Sequence, residues 1–172
     1  VLNLLDNSSF EKQSQGQPTN FTYLEDSNKD NTTITKDSSF DGSNALLINP
    51  EANKTYGVLA QSFNPVPGKT YTFSAQIKTN KETNINLGLL NTQDEKDKDS
   101  QTFTLNSSPN WQLVKFTTTI PSNTKDINQH KFFLALTSSS SNSQVYLDAL
   151  QLEEGSIATL YKPKLLLDPA SH

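Results

Sequence analysis

Few residues in this chain are equipped for catalysis. Its 172 positions hold two histidines, His130 and His172, and no cysteine. His130 lies in a polar stretch, and no motif places a serine or an acid beside it, so a nucleophilic triad is not supported. Glu153 and Glu154 are adjacent, and adjacent strand residues face opposite ways, so they cannot flank a glycosidic bond as paired carboxylates must. The run 94–99 reads as a solvated, charged loop. There is no glycine-rich phosphate loop and no histidine cluster for zinc. The chain is therefore expected not to be an enzyme.

The aromatic and amide side chains point to a different chemistry. Aromatic faces can stack on the apolar surface of a ligand while amides hydrogen-bond its polar groups. Trp111, the single tryptophan, precedes a strand and is placed for a rim. Tyr56 is out of phase with Leu59 and Phe63, so it is expected to point outward. Tyr23 shares a face with Phe21. Gln61, Gln76, Asn84 and Asn86 occupy outward positions of neighbouring strands and would form a polar strip. Trp111, Tyr56, Tyr23, Gln76, Asn86 and Gln61 are thus the expected ligand contacts. With Phe132 in the core, Phe133 must face away from it, as an exposed platform or beneath a covering loop.

These side chains need a scaffold, and the composition says which kind. Hydrophobic residues make up 33% of the chain, against roughly 45–50% in an average domain. Asn, Ser and Thr together account for 57 residues. Asn and Ser favour turns and caps, while Thr, Val, Tyr and Phe suit strands. The length fits one domain with a core large enough to need no disulfide. The net charge is −4, with 14 Lys and no Arg, which disfavours nucleic acid as a partner. No run of apolar residues is long enough to insert in a membrane. The chain opens on Val1 without a Met or an apolar leader, as a fragment or mature form would.

Strand patterns recur at short spacing. Residues 71–78 alternate most cleanly, with Tyr71, Phe73, Ala75 and Ile77 on one side and Thr72, Ser74, Gln76 and Lys78 on the other. Residues 84–90 repeat the pattern with Ile85, Leu87 and Leu89. Further strands are expected over 1–5, 20–24, 32–35, 45–48, 56–63, 102–105, 111–120, 131–137 and 144–152. Prolines 65 and 67 keep the intervening loop out of a ladder. Ten or eleven strands and no amphipathic helix predict an all-β fold, an antiparallel β-sandwich of jelly-roll type. Residues 1–161 are read as the module and 162–172, with Leu165, Leu166 and Leu167, as a tail or linker.

Four segments carry a family resemblance. Asn3-Leu4-Leu5-Asp6-Asn7-Ser8-Ser9-Phe10-Glu11 resembles the opening of carbohydrate-binding modules of families four and nine. Pro67-Gly68-Lys69-Thr70-Tyr71-Thr72-Phe73-Ser74 resembles their P-G-K strand. Trp111, Val114 and Phe116 are similar to their W-x-x-V strand. Tyr146-Leu147-Asp148-Ala149-Leu150-Gln151-Leu152-Glu153-Glu154-Gly155 resembles their closing strand. One departure is that Phe21 or Tyr23 stands where the early strand usually carries Trp.

The resemblance implies a galactose-binding-like β-sandwich that binds a polysaccharide or cell-wall glycan, without catalysis. It implies a place in a larger multidomain protein outside the cell, at a cell surface or in a virion such as a phage tail. It also implies one structural calcium, held at Glu11, at Asp41 and Ser43 of the early glycine turn, and at Asp148. Calcium takes six to eight oxygen ligands, which two carboxylates and loop carbonyls can supply. The alternative is a structural spacer or protein-interaction module that keeps the fold without the sugar site.

Overall fold

The computed structural model describes residues 2–164. Among them, twelve strands follow one another: β1 (Gln13–Ser14), β2 (Gln17–Pro18), β3 (Phe21–Tyr23), β4 (Thr32–Thr35), β5 (Ala45–Ile48), β6 (Thr55–Ala60), β7 (Thr70–Thr79), β8 (Thr83–Asn91), β9 (Lys96–Leu105), β10 (Gln112–Thr119), β11 (His130–Thr137) and β12 (Val145–Glu154). Two short 3-10 helices, Asp26–Asn31 and Ile127–Gln129, are the only helical turns described. No helix among the described residues is long and apolar enough to cross a membrane.

Ten strands form two five-stranded antiparallel sheets. Sheet I has the order β10-β7-β12-β5-β4 and sheet II the order β3-β6-β11-β8-β9. β1 and β2 make a separate two-stranded ribbon. The sandwich expected from the strand spacing is the fold observed.

The alternating pattern builds the core. Tyr71, Phe73, Ala75 and Ile77 of β7 face Ile85, Leu87 and Leu89 of β8 and Phe132, Leu134 and Leu136 of β11, all buried. Complete burial of each such large side chain contributes roughly 1.5–3 kcal/mol. Tyr71 meets Phe63 and Phe132 edge-on, at centroid distances of 5.6 and 6.0 Å.

Three local expectations are corrected. Residues 2–5 are not a strand but an extended segment whose Leu4 amide bonds Leu152 O at 2.9 Å. β9 begins at Lys96, inside the stretch expected to be loop. As an edge strand it pairs with β8 alone, so it needs one apolar face only where the core reaches it. His130 opens β11 and is buried, facing inward rather than lying in a polar turn.

Asn3 ties both ends of the described chain together. Its Nδ2 donates to Ser8 Oγ, Leu150 O and Lys162 O, and its Oδ1 accepts from the amides of Leu5 and Leu152. The Lys162 amide donates to Gln151 Oε1 at 2.9 Å, and Lys164 pairs with Asp6 at 3.2 Å. The segment Leu165–Leu167, and His172, lie outside the described residues.

Candidate functional site

The six expected ligand contacts do not share a surface. Asn86 and Gln61 lie on the outer face of sheet II, whereas Gln76 and Trp111 lie on the outer face of sheet I. The polar strip expected from Gln61, Gln76, Asn84 and Asn86 is therefore split. Gln76 pairs with Asp148 and Leu113 in sheet I, and Asn86 pairs with Ala135 and Thr102 in sheet II.

Tyr56 is not a contact at all: it is 0% exposed. Tyr56, Val58 and Ala60 form the inward face of β6, and Gly57 and Leu59 point out, which reverses the expected phase. Its hydroxyl accepts the Glu51 amide hydrogen at 3.1 Å. Tyr23 packs its ring against the core and donates its hydroxyl to Gln17 Oε1. Burial pushes its phenol up to about 12. Phe133 is covered, 3% exposed, with its ring against Gly88, so it offers no stacking platform.

The outer face of sheet II carries a shallow groove of about 360 Å³ lined by Thr55, Asn84, Asn86, Thr102, Ala135 and Thr137. Ala135 gives the floor a methyl group; Gly57, opposite it in the ladder, is buried, with Leu24 in the space a side chain would fill. A Cβ on Gly57 would stand 2.1 Å from Leu134 O. The two amides of β8 are fixed from β9: Thr104 Oγ1 donates to Asn84 Oδ1 at 2.9 Å and Thr102 Oγ1 to Asn86 Oδ1 at 3.4 Å. Among the described residues nothing engages their Nδ2 groups, which leaves two parallel donors for acceptor oxygens on a ligand. Gln61 extends the surface to the β3 edge, where its Nε2 donates to Thr22 Oγ1. Thr102 and Thr104 were not singled out from the sequence, although their alternation with Phe103 and Leu105 marks them as outward.

Trp111 belongs to a packed aromatic group. Phe40 and Tyr146 meet it edge-on at 6.1 and 6.4 Å, and Lys78 Nζ lies 5.4 Å from its ring centroid and 5.1 Å from that of Tyr146. Lys78 also donates to Ser38. The indole is half-buried, with its surroundings taken by protein groups.

The four residues expected at a metal do converge, on one loop. Glu11 accepts the amides of Ser43 and Asn44, one on each oxygen, at 2.9 and 3.0 Å. Asp148 Oδ2 accepts the amides of Phe40 and Asp41 at 2.7 and 3.0 Å, and Oδ1 that of Ala149 at 2.8 Å. Ser43 contributes its backbone amide, and its side chain is exposed. Asp148 is wholly buried at a bulge in β12, where Ala149 takes φ 51°. Burial pushes its carboxyl up to about 7; three backbone amides oppose the shift and the charge of Asp41 adds to it. The donor set is all oxygen, as a hard cation requires, and a cation there would relieve the Asp41–Asp148 repulsion. No three acidic or histidine side chains form a metal cluster among the described residues, so backbone carbonyls would have to complete a shell.

A family model described as a carbohydrate binding domain matches residues 2–143. Among solved structures, an arabinose-bound MgGH51 α-L-arabinofuranosidase superposes with a TM-score of 0.71 at 13% identity, over 91% of this chain and 27% of that one. TmCBM61 in complex with β-1,4-galactotriose gives 0.64 at 13% identity, over 90% of this chain and 100% of that one. A CBM4 structure gives 0.59 at 16% identity, over 88% and 99%. At these identities the likeness is one of fold. The chain spans about a quarter of the arabinofuranosidase and essentially all of the two modules. No curated protein sequence matches it.

Proposed function

Because this chain belongs to the carbohydrate-binding domain family, we propose that it is a non-catalytic module that binds a saccharide chain across the outer face of sheet II. The observation that carries this reading is the groove floored by Ala135, with the Asn84 and Asn86 amides held side by side above it. A small floor residue admits a sugar ring to the sheet, and the fixed amides donate to its oxygens without first losing rotamer freedom. The groove residues named above include no carboxylate, which supports binding without hydrolysis.

Affinity electrophoresis in gels containing xylan, galactan, β-glucan or a bacterial wall polysaccharide tests this. The protein is retarded by at least one polymer, and Ala135→Trp, which fills the groove, abolishes the retardation while the melting temperature stays within a few degrees. A folded protein that no polymer retards, or an Ala135→Trp variant retarded as before, overturns it.

We further propose a structural calcium at Glu11, Asp41, Ser43 and Asp148. Supporting it are the convergence of these residues on one loop and the burial of the Asp148 carboxyl, which lies well above its ordinary range beside Asp41. We also place the module outside the cell, at a cell surface or in a virion, within a longer polypeptide; the family and the quarter-length match to an arabinofuranosidase support this.

A second reading, a protein-contact or spacer module, is favoured by one observation. Phe40 and Leu113 are 46% and 53% exposed beside Trp111 on sheet I. Failure of every saccharide to bind, with loss of self- or partner association on Leu113→Glu, would select it.

A further inference from the structure

A cavity larger than the groove lies elsewhere, where the two sheets part at the edge formed by β9 and β10. Its volume is about 620 Å³. Its inner end is closed by Leu89 and Ile120, both core residues. Its walls are Asp99 of β9, Thr118 of β10 and the 121–126 loop with Lys125. His130, 4% exposed, lines it from β11.

Hydrogen bonds orient the polar atoms here. His130 Nδ1 lies 3.2 Å from Asp126 O. A carbonyl only accepts, so Nδ1 carries the proton and Nε2 presents a lone pair in the neutral ring. Among the described residues no donor meets Nε2, yet no buried side-chain nitrogen or oxygen is left unpartnered. Nε2 therefore opens on the cavity. Asp99 Oδ2 accepts from Thr118 Oγ1 at 2.7 Å, which orients the carboxylate and leaves Oδ1 as a second acceptor. Lys125 supplies a donor at the mouth.

We infer that this cavity is a second binding site, for the terminal residue of a neutral saccharide. Two fixed acceptors and one donor suit neighbouring hydroxyls, each of which both donates and accepts. The apolar inner end suits the C–H face of a ring. Asp99 and Asp126 stand against Lys125, so both signs of charge are present and a simple ion is not favoured. Leu89 and Ile120 close its inner side, so a ligand enters from the solvent side only, as a chain end can. The inference rests on the saccharide reading above but concerns a separate site.

The test titrates the protein with the methyl glycosides of glucose, galactose, mannose and xylose, following the His130 imidazole by long-range 1H–15N NMR. A His172→Ala background leaves one histidine signal. At least one glycoside shifts the Nε2 resonance saturably, and Asp99→Ala weakens that binding tenfold or more while retardation by polysaccharide gels persists. If no glycoside moves Nε2, or if Asp99→Ala binds as before, the second site is wrong and the groove reading stands. If polysaccharide retardation is also absent from the unsubstituted protein, both fall.

Discussion

Lys78 lies opposite Tyr146 in the β7–β12 ladder, and its ammonium serves two rings at once, standing 5.1 Å from the Tyr146 centroid and 5.4 Å from that of Trp111. The arrangement makes the single tryptophan part of the scaffold. Each such contact is worth ~0.5–1 kcal/mol when partly exposed. Lys78→Met should lower stability by about 1 kcal/mol in urea unfolding and shift Trp111 emission. A saccharide bound on sheet II should leave that emission unchanged. A large change in emission on saccharide binding would move the site to sheet I.

Gly57 lies beside the proposed groove, opposite Ala135 in the ladder. Its missing side chain leaves room for Leu24 and for the Leu134 carbonyl. Gly57→Ala should cost about 1–3 kcal/mol through backbone displacement and also weaken retardation in polysaccharide gels. Thr104→Val should weaken retardation with little effect on stability, because it frees the Asn84 amide to rotate. Unchanged retardation in both variants would argue against the groove.

Asp148 predicts how stability responds to pH. Its folded value, about 7, lies above the ordinary 3.8, so between these values the folded state holds more protons than the unfolded one. In chelator, its contribution is fully present below about pH 4 and is lost as pH rises through about 7, with a slope of up to about 1.4 kcal/mol per pH unit. Calcium favours the ionised form, so it should remove this slope and raise the melting temperature at pH 7.5. Asp148→Asn should abolish both responses. A melting curve indifferent to calcium and chelator would remove the metal and leave the pH slope standing alone.

Asn3 makes five hydrogen bonds with two functional groups, all near the two ends of the described chain. Asn3→Ala leaves several buried backbone groups without partners and should cost about 2–4 kcal/mol, read from the urea midpoint. A loss below about 0.5 kcal/mol would mean that water replaces these bonds without cost.

Strand periodicity made the sandwich legible because Tyr71–Ile77 and Ile85–Leu89 are apolar on one face and polar on the other. Tyr56 was misread because β6 carries apolar residues on both faces and stops at Ala60, so Phe63 could not set its phase. Gln76 and Asn86 were grouped because alternation shows that a residue points outward, and not from which sheet. That assignment depends on long-range pairing, which no local pattern contains. Asp148, in contrast, was recognisable as a carboxylate amid apolar neighbours, and its amide partners complete that picture. The inter-sheet cavity was invisible because its walls come from β8, β9, β10, β11 and the loop before β11, brought together only by folding.

The clasp made by Asn3 also decides how the module carries load. Residues 3 and 162 are hydrogen-bonded to each other, so tension entering at one and leaving at the other has a short path along β12 that does not cross sheet II. That path crosses Asn3, Gln151 and the Leu4–Leu152 bond first. Pulling on residues 3 and 162 should therefore break the clasp before it opens the ladders of sheet II.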